Sequence, residues 1–139
     1  MAVDLTENEL LKNFQPGWIE WFREFGTDIS FSRGHHMIES GSAAAGMYLL
    51  LDGDVTVRGR NAEVIATLPE GSVVGEMALV DGGSRSADVI AETDVSTLMI
   101  TKSQMEAIGR ARPDIGLVIM TNLCNIISTR ARHLHQLIG

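Results

Sequence analysis

Apolar and polar positions change their period twice along this chain. Leu10 and Leu11 follow Thr6-Glu7-Asn8-Glu9, a capping box that predicts a short helix with Thr6 as cap and Glu9 three residues on. Pro16-Gly17 ends it. Trp18, Trp21, Phe22 and Phe25 then recur at helical spacing, giving a second short helix whose aromatic face packs on the core or else serves as a partner interface. From Ile29 to Ile100 the texture becomes short strand-like runs punctuated by turn chemistry at Arg33-Gly34, Ser40-Gly41, Asp52-Gly53-Asp54, Gly59-Arg60-Asn61 and Pro69-Glu70-Gly71. Alternation in Val55-Thr56-Val57-Arg58 sends the two valines to one side and Thr56 with Arg58 to the other. Val95 to Ile100 reads as the last strand. Thr101-Lys102-Ser103-Gln104 is a second capping box, and Pro113 suits the first position of a longer helical region. That region is apolar all round between Ile115 and Ile127, which predicts cover on more than one side and a break into two helices. The pattern describes a mainly β fold with flanking helices, an antiparallel sheet rolled or closed into a barrel of β-roll or jelly-roll type. Residues 1–28 form its N-terminal helical segment, 29–100 the roll and 101–139 the C-terminal helices.

Composition narrows what such a fold can do. At 139 residues the chain is one domain's worth, able to bury roughly two thirds of its unfolded surface without disulfides or metal. No apolar run approaches the ~20 residues of a membrane span, and the first residues lack the basic region and apolar core of a signal peptide. Cys124 is the only cysteine, which excludes an internal disulfide and points to a reducing cytoplasm. A net charge of -7 argues against direct nucleic-acid binding, which needs a positive patch to displace counterions.

The stretch Gly75 to Val89, GEMALVDGGSRSADV, carries the most specific chemistry. Gly75 lets backbone amides approach a ligand closely, and Glu76-Met77-Ala78-Leu79 is helix-forming. The start of such a turn is an anion site, where N–H groups meet the positive end of the helix dipole. Arg85 can add a charge-assisted, bidentate hydrogen bond to a phosphate. Glu76 beside a phosphate makes sense once a hydroxyl donates to it, as a ribose 2′-OH would. These residues resemble the phosphate-binding cassette of the cyclic nucleotide-binding domains, roughly F-G-E-x-A-L, a short loop, then R-x-A-x-V. The match runs Gly75, Glu76, Ala78, Leu79, Arg85, Ala87 and Val89. It extends over most of the chain, through Gly34 and Ile38 before Gly41, Met47-Tyr48-Leu49-Leu50-Leu51 before Gly53 and Val55, and Leu68 with Gly71.

The resemblance implies that Glu76 binds the ribose 2′-OH and Arg85 the cyclic phosphate, with amides around Gly75, Met77 and Ala78 completing the site. Val74 stands where the family usually has Phe, which loosens one wall of the pocket. Ser86, next to Ala87, adds a hydroxyl for phosphate or a purine edge. The resemblance also implies C-terminal helices that swing when nucleotide arrives, the last closing as a lid over the base. Counting from the cassette places Ile126 and Arg130 on the lid face, by apolar packing or a cation stacked on the purine. Ile65 is a wall for base or ribose, or an ordinary core isoleucine.

Other constellations carry less. His35-His36 on a strand point to opposite faces, and His133 and His135 on a helix diverge by about 200°, so neither pair builds a metal site. Ser84 and Ser86 lack G-x-S-x-G and a nearby histidine base. Asp52 and Asp54 flanking Gly53 read as a hairpin turn rather than acid/base chemistry. Arg110, Arg112 and Arg132, and Arg130 apart from the resemblance, are solvated helix charges, and Arg85 would otherwise be a surface ion pair. The expected function is a non-enzymatic sensory module that needs no cofactor. It binds a cyclic purine nucleotide, cAMP before cGMP, and moves its C-terminal helices to signal to an effector domain or partner protein outside this chain. The alternative is a domain of the same fold that has lost sensing and serves as an interaction or homodimerisation module. A transcription factor of the catabolite activator type would need a helix-turn-helix beyond Gly139.

Overall fold

The run Met47 to Leu51 contains no charged or amide side chain, and strand β3 (Gly46–Asp52) is accordingly buried on both faces. Met47, Leu49 and Leu51 join a cluster shared with the helices, whereas Tyr48 and Leu50 join a second cluster between two sheets. The computed structural model describes residues 8–43, 45–76 and 87–138, apart from the side chains of 134–138. In the first sheet β1 (Thr27–Phe31), β8 (Val95–Thr101), β3 and β6 (Val73–Val74) lie side by side. The second orders β2 (His36–Ile38), β7 (Asp88–Ala91), β4 (Val55–Arg58) and β5 (Val64–Leu68). Among the described residues every pairing is antiparallel. The expected rolled antiparallel core with flanking helices is what forms.

Two local readings need correction. Asp52-Gly53-Asp54 is not a hairpin, because β3 pairs with β8 and β6 while β4 pairs with β7 and β5. It is the corner where the chain leaves one sheet for the other. Gly53 takes φ 93° there, and a Cβ on it would lie 2.4 Å from the Asp94 carbonyl oxygen. Thr56, which alternation alone puts on the polar side, is buried. Its hydroxyl donates to Glu92 Oε1 at 2.5 Å, and Arg58 Nη2 donates to the same oxygen at 2.9 Å. Together the Thr56 hydroxyl and the Arg58 guanidinium hold the Glu92 carboxyl below the usual carboxylate range.

The helices cover the outer face of the first sheet. A 3-10 turn, Glu9–Leu11, is capped by Asn8, whose side chain accepts from Leu10 N at 3.0 Å. Thr6, the expected cap, lies outside the described residues. Helix α1 (Trp18–Arg23) buries Phe22 completely, with Trp18, Trp21 and Phe25 packed on the same cluster. Helix α2 (Lys102–Ala111) opens with the expected capping box, Thr101 Oγ1 accepting from Gln104 N and Gln104 Oε1 from Thr101 N. Helix α3 (Pro113–Ile138) runs unbroken, against the predicted break. No proline interrupts it, and Ile115, Ile119, Leu123 and Ile126 bury one continuous row. Nor is it covered on more than one side: Leu117 is 69% and Met120 40% exposed. Asn122 fastens α3 to the N-terminal turn, its Nδ2 donating to Leu10 O at 2.8 Å and Lys12 O at 2.7 Å. Where α2 and α3 cross, a Cβ on Gly116 would lie 3.1 Å from Gly109 Cα, so the two backbones nearly touch. Among the described residues no helix is long and apolar enough to cross a membrane.

Candidate functional site

Strand β6 delivers the sequence-predicted acid into the domain. Val73 packs toward the helices and Val74 between the sheets, so both sides of this short strand are anchored. Gly75 follows at φ 80°, a left-handed conformation that glycine adopts at no steric cost, and turns the chain out of the sheet. Glu76 comes next and is only 5% exposed. A carboxylate this buried needs a charged or hydrogen-bonding partner.

That partner comes from the far end of the chain. Arg130 on α3 donates from Nη1 to Glu76 Oε1 at 2.5 Å. Its Nη2 donates to the Val73 carbonyl at 2.6 Å and to Glu9 Oε1 at 2.9 Å. Glu9 Oε1 also accepts from Val73 N at 2.9 Å. The two carboxylates, the guanidinium and the Val73 peptide thus form a closed network. It joins the N-terminal turn, the start of the cassette and the C-terminal helix.

The other sequence-predicted residues fall in several places. Ile126 sits one turn before Arg130 on the same face of α3, buried in the helix-side cluster. Val74 is buried between the sheets. Ala87 is half-buried at the approach to β7. Ile65 lies on β5, the edge strand of the second sheet, 42% exposed and beside Gly59. Met77, Ala78, Arg85 and Ser86 lie outside the described residues. Glu9 and the Val73 backbone were not among the sequence candidates. Local sequence offers no signal for them, since Glu9 and Arg130 are 121 positions apart.

A β-roll of two antiparallel sheets, a left-handed glycine and a buried acid held by the last helix invite comparison with known proteins. The sequence pattern of the cyclic nucleotide-binding domain matches residues 28–112. The chain belongs to that family. Glutaminase 2 of Bradyrhizobium diazoefficiens is 32% identical over 129 residues, covering 93% of this chain and 20% of that protein. The cyclic AMP receptor protein of Thermus thermophilus is 28% identical over 106 residues, covering 73% of this chain and 47% of that protein. The chain therefore spans between a fifth and a half of these relatives' lengths. A cyclic nucleotide-binding domain from Methylobacillus flagellatus superposes with a TM-score of 0.87 at 20% identity, covering 96% of this chain and 78% of that one. At that identity the likeness is one of fold. The cyclic nucleotide-binding domain family is regulatory rather than catalytic.

Proposed function

We propose that residues 1–139 act as one sensory domain that binds a cyclic purine nucleotide, cAMP in preference to cGMP, in the cytoplasm. Occupancy would be passed on by repositioning α2 and α3 toward an effector outside this chain. The observation that carries this reading is Glu76: an acid at the start of the cassette, buried, and bonded directly to the C-terminal helix. Glu76 would accept from the ribose 2′-OH, with Arg85, Ser86 and the amides of Gly75, Met77 and Ala78 on the cyclic phosphate. Val74, Ile65, Ala87 and Ile126 would border the pocket. The similarity to a cyclic AMP receptor protein favours adenine.

Calorimetric titration of the purified protein with cAMP and cGMP tests the reading. Binding is expected, and Arg85→Ala should weaken it by about one to two decades, the ~1.5–3 kcal/mol of a charged hydrogen bond. Absence of heat at high micromolar concentrations of both nucleotides would reject it.

A second reading, a homodimerisation module, draws on the outer face of α3. Leu117, Met120, Cys124, Ile127 and Ala131 follow the alternating three-and-four spacing of a coiled-coil seam, and residues 115–129 carry no charged side chain. Leu117, Met120 and Cys124 are exposed. In a parallel pair in register, the two Cys124 thiols would meet across the seam. Mild oxidation should then give a covalent dimer, and Leu117→Glu should abolish it. A protein that sediments as a monomer at high micromolar concentration would refute this reading.

A further inference from the structure

We infer that Arg130 is a positioning residue for sugar recognition: it fixes the Glu76 carboxylate in the orientation that receives a ribose 2′-hydroxyl. The inference rests on the nucleotide-binding reading above and extends it to a residue that need not touch the ligand.

A glutamate side chain turns about three torsions, and a buried one with no fixed partner would spread over several rotamers or swing toward water. Arg130 removes that freedom through a charge-assisted bond to Glu76 Oε1. It can do so accurately because its own guanidinium is held twice more, by the Val73 carbonyl and by Glu9 Oε1. Val73 closes the loop by donating its N–H to the same Glu9 oxygen. Glu76 lies three residues after Val73, so the arginine that orients the acid is anchored on the strand that carries it. Two carboxylates share one guanidinium, leaving the cluster with a net negative charge and a preference for a donor over a second acceptor. A sugar hydroxyl is such a donor, whereas a 2′-deoxy sugar offers nothing there. This geometry also separates the role from purine stacking, since a guanidinium with Glu76, Glu9 and Val73 as partners is committed to the sugar end of the site.

The test compares cAMP with 2′-deoxy-cAMP on wild type, Arg130→Gln, Arg130→Lys and Glu9→Gln, each checked for folding by circular dichroism. Wild type should prefer cAMP by about 10- to 100-fold, the usual worth of a hydrogen bond to a charged group. Arg130→Gln should shrink that preference to less than about threefold while leaving 2′-deoxy-cAMP affinity nearly unchanged. Arg130→Lys should restore part of it, and Glu9→Gln should lower it to an intermediate value. Equal weakening of both ligands in Arg130→Gln would mean general packing or base stacking, and tighter binding of both would mean a latch that competes with ligand. Either result, or an unchanged ratio, overturns the inference while sparing the binding reading. A wild type that binds neither nucleotide overturns both. If Arg130→Gln fails to fold, the Glu9→Gln ratio decides, and an unchanged ratio there counts against the inference.

Discussion

Replacing Asn122 by leucine is expected to destabilise the domain by about 2–4 kcal/mol, although the two side chains are close in size and no cavity results. The amide nitrogen of Asn122 donates to two backbone carbonyls, those of Leu10 and Lys12, and Asn122 itself is buried. Leucine would leave both oxygens without their donor. Each lost partner costs roughly 1–3 kcal/mol when water cannot replace it, and partial access at Lys12 puts the sum below the maximum. Urea titration is the direct measurement: the midpoint should fall with an unchanged slope, since the surface exposed on unfolding is the same. A loss below about 0.5 kcal/mol, the range of an ordinary surface change, would mean that water satisfies both carbonyls and that Asn122 is no anchor.

Gly53→Ala should cost a comparable amount for a different reason. At φ 93° an L-residue meets its own backbone, a penalty of roughly 1–2 kcal/mol. The new Cβ would also stand 2.4 Å from the Asp94 carbonyl oxygen and 2.8 Å from Thr93 Oγ1. The carbonyl belongs to the backbone entering β8 and can yield only by shifting that strand, which adds about 1–3 kcal/mol of overpacking strain. Gly41 is the internal control. Its φ is 85°, yet a Cβ there would meet nothing within 4 Å, so Gly41→Ala should show the conformational penalty alone. For a chain of this size each kcal/mol lowers the melting temperature by about 3–5 °C, and calorimetric scans of the two variants should separate clearly. Equal losses would show that the corner tolerates the added methyl.

The contrast between those two glycines marks how far the sequence could be read. Turn residues located the corners, while the burial of β3 on both faces emerged only with the structure. Which turns are hairpins stayed hidden, because Asp52-Gly53-Asp54 and Gly59-Arg60-Asn61 have similar local chemistry. Only the pairing of strands far apart in sequence distinguishes a corner from a hairpin. Likewise the capping box at Thr101 and Gln104 is a four-residue signal and formed as read, whereas the continuity of α3 depends on the core surface it lies against. The cassette acid was legible through its resemblance to a known motif. Glu9 was not, and Arg130 was singled out as a lid residue rather than as the partner of Glu76, since an ion pair between residues 54 or 121 positions apart leaves no periodic trace.

The bare contact of Gly109 with Gly116 has a mechanical consequence. Gly116 and Gly109 meet backbone to backbone there, close to the start of the longer helix, so α3 meets α2 as a beam meets a fulcrum. Arg130 lies about 20 Å along the beam at ~1.5 Å of rise per residue, so a tilt of about 10° displaces it by roughly 4 Å. That travel exceeds the reach of a hydrogen bond. A motion small at the glycines would therefore disengage the guanidinium from its carboxylates.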